Sequence, residues 1–415
     1  MSLRPKDPSL LERLPPELAA LPWGSPEFKA LNARLAQEDE DACAPVTRAM
    51  PVWINLTGTT VCNLKCFMCN QFLDPDIPKW FMKPEVYQRV VDELYPFART
   101  VQFSAFGEPL MTPGMESKLD DLARNGVKLD IVTNGTLMMR ENRFREKLLQ
   151  TLETVIFSID GATRETYNSI RTGADFDEVL DNIRRFAMRR LEMPVAERPR
   201  MHFNFILMKR TVAEAPRFVE LVHELGGDGI TFNHLVAFHP SLVGESLAEH
   251  KALANEHMDE TREVARELGV PLIIPPNFRL EEEAPARAPV PASNGATNGA
   301  TSETPRARPC GPPPIKCYFL WKRVYIGVNG EVVPCCLAGI PHFGNMMDQG
   351  FWNLWNGDTY QTYRRHVYTE NPYGPCASCY LIYQTPDNTP DEGFQKIVKP
   401  VPREKAAKTA DAQPA

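Results

Sequence analysis

From residue 51 to about residue 275, short apolar runs alternate with longer segments whose apolar positions recur every three or four residues. The apolar runs predict strands at Val52–Leu56, Thr100–Ala105, Val127–Thr133, Thr154–Ile159, His202–Met208 and Gly229–Asn233. The periodic segments predict helices, among them "KPEVYQRVVDELY", where Pro84 suits a first turn, and "TPGMESKLDDLARNG", which ends on Asn-Gly. A third is "DFDEVLDNIRRFAMRRL". Strand–helix repeats with short connections imply right-handed βαβ units around a parallel sheet, in the form of either an open sheet or a barrel. In both forms chemistry belongs at the C-terminal ends of the strands.

Outside this region the pattern changes. Residues 1–50 read as a short helical preface rich in Pro and charge. The stretch 281–309, "EEEAPARAPVPASNGATNGATSETPRARP", has almost no large apolar residue and reads as a disordered linker. A second module is expected over 310–385, after the core at 51–280, and the tail 386–415 is expected to be disordered.

Composition narrows the partners. A net charge of −7 provides no basic field for nucleic acid or an anionic membrane. No apolar run approaches the length of a membrane span, and the N-terminus lacks the apolar core of a secretory signal, so a cytoplasmic protein is expected. Ten cysteines in a reducing compartment then read as metal ligands or redox groups rather than a disulfide framework.

The thiols are clustered. "TGTTVCNLKCFMCNQ" places Cys62, Cys66 and Cys69 directly after the first strand, with no fourth cysteine nearby. A zinc site completed by a distant ligand is one reading, although structural zinc is closed and four-coordinate. Three thiolates at the mouth of a βα fold instead leave one metal position open, as a catalytic centre needs.

This Cys-x3-Cys-x2-Cys stretch, with Met68 before the last cysteine, resembles the signature of the radical S-adenosylmethionine (SAM) enzymes. The resemblance implies a [4Fe–4S] cluster whose open iron is chelated by SAM. One electron then cleaves SAM to methionine and a 5′-deoxyadenosyl radical that abstracts hydrogen from a substrate. It further implies a partial (β/α)6 TIM-like barrel and an external one-electron donor such as flavodoxin or ferredoxin.

Other strand ends carry matching residues. Gly107 and Glu108 in "FSAFGEPLM" resemble the family's Gly-Gly-Glu segment at the SAM amino group, with Phe106 replacing the first glycine; a simple turn is the alternative. Thr133 and Asn134 follow the third strand in "VTNGTLM", where Asn-Gly is also a common turn. Ser158 and Asp160 in "FSIDGATRETYNSIRTGADF" match residues facing the SAM ribose and carboxylate, and Arg171 matches an arginine on that carboxylate. An exposed arginine at a helix end is the alternative for Arg171. Asn204 on the fifth strand is a further SAM candidate, unless it is simply hydrogen-bonded in place.

The second cysteine set follows the linker. "VYIGVNGEVVPC" reads as a β-hairpin turning at Asn329-Gly330. Cys317-x12-Gly-x4-Cys335, followed by Cys376-x2-Cys379, allows a four-thiolate zinc site, but it is also similar to the auxiliary-cluster module called SPASM. The further cysteines of a full module are absent, which resembles the truncated "twitch" form. The resemblance implies one auxiliary [4Fe–4S] cluster on Cys317, Cys335, Cys376 and Cys379. Cys310 could substitute for one ligand, Cys336 is inert or a hydrogen-atom donor, and Cys43 reads as a small buried apolar residue. "FWNLWNGDTYQTYRRH" reads as one short amphipathic helix whose aromatics pack.

The fold expected is therefore α/β, a partial radical SAM barrel followed by a small C-terminal SPASM/twitch domain. The function expected is hydrogen abstraction from a small molecule, such as a sugar or cyclitol alcohol, with the auxiliary cluster accepting an electron. Peptide modification is the alternative, although residues 1–50 are too short and Pro-rich for a winged-helix peptide-binding domain. Epimerisation using Cys336 is another. A non-enzymatic metal scaffold would need no SAM contacts and would not cleave SAM.

Overall fold

The computed structural model describes residues 8–103, 106–139, 142–280, 317–336, 340–369 and 372–379. The expected linker and tail, and Cys310, lie outside the described residues. Strands form at β1 (Trp53–Leu56), β2 (Thr100–Phe103), β3 (Lys128–Thr133), β4 (Leu152–Ser158), β5 (Arg200–Leu207), β6 (Gly229–His234), β7 (Leu272–Ile273), β8 (Arg323–Ile326) and β9 (Val332–Val333). Each expected strand is present, shifted by a residue or two at its ends.

The sheet order is β7-β6-β5-β4-β3-β2-β1-β8-β9. Strands β1 to β7 lie side by side in chain order and are parallel, so every βα unit adds to the same edge. A doubly wound sheet would reverse direction at a switch point. Sequential winding is that of a partial barrel, which decides between the two forms the pattern allowed.

One face of the sheet packs on the helices. Val101, Phe103, Leu129, Ile131, Val155, Phe157, Phe203 and Phe205 are buried there. Phe157 lies 5.4 Å from Phe203, and Phe205 lies 4.7 Å from Phe218 of helix Ala215–Glu224. Each such side chain contributes about 1.5–3 kcal/mol by burial. Helix Phe176–Leu191 begins where it does because Asp175 accepts from the amides of Asp177 and Glu178 at 3.0 and 3.1 Å. The opposite face carries a polar row, with Asn55, Gln102, Asp130 and Thr154 in register on β1 to β4.

The C-terminal module is not a separate body beside the barrel. Its strand β8 pairs in parallel with β1, and β9 turns back antiparallel through a loop in which Gly330 has φ +92°. Arg323 of β8 donates to Asn55 Oδ1 at 2.6 Å and to Gln102 Oε1 at 2.5 Å, and lies 4.5 Å over the Trp53 ring. The preface straps the module down. Trp321 Nε1 donates to the Ala44 carbonyl and Trp355 Nε1 to the Ala49 carbonyl, each at 2.9 Å.

Two expectations are corrected here. The expected single helix over "FWNLWNGDTYQTYRRH" is two, Phe351–Trp355 and Asp358–His366, broken at Asn356-Gly357. A side chain at Gly357 would meet the Asn353 carbonyl at 2.7 Å, so the break needs glycine. Cys43 packs against the core, but it is more than a small apolar filler. It is half-buried at a left-handed φ of +49° and engaged in a disulfide. No described helix is long and apolar enough to cross a membrane.

Candidate SAM and cluster site

The loop after β1 brings Cys62, Cys66 and Cys69 to the C-terminal end of the sheet, as the strand pattern requires. It is fixed by backbone hydrogen bonds rather than by regular structure. Lys65 N donates to the Thr172 carbonyl at 2.9 Å and Phe67 N to the Ile170 carbonyl at 2.8 Å. Cys66 is thereby held opposite Arg171.

The loop after β2 closes on the same segment. Glu108 N donates to the Val61 carbonyl at 2.9 Å, and Gly107 sits at φ +69°. A Cβ at Gly107 would stand 2.5 Å from that carbonyl oxygen, so only glycine permits the approach. The Glu108 carboxylate is 2% exposed and accepts from Thr133 Oγ1 at 2.8 Å, Asn134 N at 2.9 Å and Leu110 N at 3.2 Å. Burial pushes it above the ordinary carboxylate range, against the pull of these donors. A carboxylate accepts about four hydrogen bonds; Glu108 locks β2 to β3 and keeps capacity for one more donor.

Asn134 continues the chain of contacts, its Nδ2 donating to Asn63 Oδ1 at 3.0 Å and lying 4.0 Å from Cys62 Sγ. Asp160 is fully buried, accepting from Ile206 N at 2.8 Å and pairing with Arg171. Ser158 and Asn204 are register partners on β4 and β5, both half-buried. All the SAM candidates thus stand around the C-terminal ends of β2 to β5. They differ in availability: Asp160 is largely consumed within the protein, whereas Ser158 and Asn204 face the interior.

The residues present fit an iron–sulfur cluster. Three N–H donors approach the sulfurs: Leu64 N to Cys62 at 3.4 Å, Asn134 Nδ2 to Cys62, and Arg171 Nη1 to Cys66 at 3.9 Å. Burial, aided by the neighbouring acidic groups and opposed by Arg171, pushes the Cys66 thiol up to about 11, so its thiolate calls for a further cationic partner such as iron. Beside the thiols, Arg171 Nε and both amide atoms of Gln71 are buried without hydrogen-bond partners. Among the described residues no three His, Cys, Asp or Glu side chains close round a point in the manner of a one-ion site.

The second set gathers below β8. Burial raises Cys317 and Cys376 to about 12 each. Charge on Cys376 and Cys379 raises Cys317 further, and charge on Cys335 and Cys379 raises Cys376, so the four are within electrostatic reach of one another. Cys336 is exposed and neighbours Tyr325.

Sequence reasoning missed two residues. Gln71 follows Cys69 by two positions, and its polarity inside the apolar turn "NQFL" was the available signal. Glu214 accepts from Ala162 N at 2.7 Å and Thr163 N at 3.1 Å, fixing the loop that carries Asp160. Nothing local in its sequence marks that role.

Comparison with known proteins agrees with this geometry. Residues 56–196 match the radical SAM superfamily, and residues 317–380 match SPASM, an iron–sulfur cluster-binding domain. A probable GTP 3′,8-cyclase of Metallosphaera sedula is 28% identical over 197 residues, 46% of this chain and 57% of the relative. The chain therefore spans little more than half the length of that relative. A tungsten-containing aldehyde ferredoxin oxidoreductase cofactor-modifying protein of Pyrococcus furiosus is 22% identical over 349 residues, 79% of this chain and 87% of its own. Streptococcus suis SuiB bound to SAM shares the fold, with a TM-score of 0.54 at 15% identity over 86% of this chain and 76% of SuiB. Residues 56–196 are accordingly a radical SAM domain, followed at residues 317–380 by a SPASM domain.

Proposed function

We propose that this enzyme uses Cys62, Cys66 and Cys69 to hold the SAM-cleaving cluster and oxidises a hydroxylated small molecule by two electrons. The observation that carries the reading is the pairing of an open three-thiol loop after β1 with a four-thiol set attached through β8 to that same strand. The bound groups supply one-electron cleavage of SAM, a radical that takes a hydrogen atom from the carbinol carbon, and an acceptor for the second electron. A closed, fully thiolate-bound cluster suits electron acceptance because it offers substrate no iron.

The chain's own residues supply the surroundings. Gly107 and Glu108 hold the SAM side of the loop, while Ser158 and Asn204 line the interior. The inner face carries Asn55 and Gln102, which bond to each other and to Arg323, and Asp130, whose Oδ1 is buried without a hydrogen-bond partner. Burial pushes this carboxyl to about 6. Such a face suits hydroxyl groups better than an apolar chain.

A second reading, peptide modification, is favoured by one observation. Phe72, Trp80, Phe81, Phe106 and Phe238 are exposed on the segments that follow β1, β2 and β6, where a polypeptide would enter. SuiB is known bound to its precursor peptide SuiA.

Deuterium tracing separates the two. With SAM and a strong reductant, polyols and aminocyclitols deuterated at the carbinol carbon are expected to pass deuterium into 5′-deoxyadenosine and to yield a carbonyl product. Transfer from deuterated peptides alone would move the assignment to the second reading.

A further inference from the structure

We infer that Arg171 acts on the cluster directly: its guanidinium, held by Asp160, donates to the Cys66 sulfur and sets the reduction potential of the SAM-cleaving cluster. This goes beyond the proposed reaction and does not depend on the identity of the substrate.

Two guanidinium nitrogens of Arg171 are committed, Nη2 to Asp160 and Nη1 toward Cys66, and Nε is buried beside them without a partner. The hydrogen bonds from Lys65 N to Thr172 and from Phe67 N to Ile170 bracket the pair, so Cys66 and Arg171 face each other as neighbours in a short ladder. On the far side of Cys66, Gly173 at φ +99° brings the chain to within reach of Asn63, where a Cβ would stand 3.5 Å from the Asn63 carbonyl. The guanidinium is turned by Asp160, which pairs with Nη2. Asp160 cannot follow a ligand, because Oδ1 is tied to Ile206 N on β5 at 2.8 Å. Nη1 is left 3.9 Å from Cys66 Sγ. Arg171 is 8% exposed and Asp160 is fully buried, so solvent does not screen the pair.

A buried ion pair of this kind is expensive to desolvate and is weak evidence for a purely stabilising role. Its orientation has a chemical consequence. A cation and N–H donor at a cluster sulfur favours the more negative, reduced state, and so raises the potential. For a cluster that must accept an electron before SAM can be cleaved, this eases the demand on the external donor. Asp160 then acts through Arg171, as a positioning residue.

The test is an EPR-monitored redox titration of the reconstituted full chain before SAM is added. Two variants are compared with wild type. Arg171→Met/Asp160→Asn removes the ion pair without leaving an unpaired charge, and Asn keeps the oxygen that accepts from Ile206. Arg171→Lys keeps the charge beside Asp160 but loses the branch that reaches Cys66. The loop cluster is expected to titrate at lower potential in both, further in the double variant, with the auxiliary cluster unmoved as an internal reference. An unshifted potential in either variant that retains full iron overturns the inference, and an accompanying loss of SAM affinity would then place Arg171 on SAM. Loss of the loop cluster from Arg171→Lys with the fold intact also overturns it, since the residue would then be building the site rather than tuning it.

Discussion

A Cys317→Ala/Cys376→Ala variant is expected to bind about four iron atoms where the wild type binds about eight, and to lose product formation while still cleaving SAM. The two positions are chosen because burial holds both thiols at about 12, so neither is stable as a thiolate without metal. They also sit at opposite ends of the module, Cys317 ahead of β8 and Cys376 in the 3-10 turn Gly374–Ser378. The three thiols of the loop after β1 are separate in the chain and fixed by residues 170–172 and by Asn134, none of which belongs to the C-terminal module. Electron acceptance and SAM cleavage should therefore come apart. Iron counting and 5′-deoxyadenosine assay of the variant check this. Unchanged iron would mean the ligands are misassigned, and joint loss of SAM cleavage would mean the β1–β8 pairing couples the sites more tightly than described.

Arg364→Met is expected to destabilise the chain by about 3–5 kcal/mol, the largest stability effect of a single substitution in the C-terminal module. The guanidinium is 1% exposed and donates to three carbonyls: Leu320 at 2.9 Å, Trp355 at 2.8 Å and Pro45 at 3.1 Å. It also lies over the rings of Trp355 and Tyr360, at 4.6 and 4.9 Å. Burial lowers its proton affinity to about 9, so it remains charged at neutral pH and its desolvation is offset by these contacts. Methionine fills much of the volume but leaves the carbonyls unpaired, each at a cost of about 1–3 kcal/mol. Because Pro45 belongs to the preface, the strap should loosen with the module. Thermal unfolding of the two proteins at equal iron content measures the effect; a midpoint equal to wild type would show that the cage is not holding these segments together.

What the sequence made legible follows from the range of the forces involved. The strands of the barrel are read from local apolar runs, and the cysteine loop from spacing within a single turn of chain. Gly107 and Asn134 could be placed because each lies in the loop that follows a strand. The joining of β8 to β1 was not legible, since those strands lie 270 residues apart with the expected linker between them. The preface strap depends in the same way on hydrogen bonds from Trp321 and Trp355 to carbonyls whose side chains carry no signal. Arg171 was visible as a residue, but its partner Cys66 lies 105 positions away, so the contact could only be assigned to SAM by resemblance. Glu108 reads as a ligand or a turn and proves also to be the buried lock between β2 and β3.

The most direct test of the account is an anaerobic reconstitution of the Cys62→Ala/Cys66→Ala/Cys69→Ala variant beside wild type, with iron counting and detection of 5′-deoxyadenosine. The account predicts about eight irons falling to about four, with SAM cleavage abolished and the auxiliary cluster retained. Undiminished 5′-deoxyadenosine in the variant, or zinc in place of iron in the wild type, would contradict it.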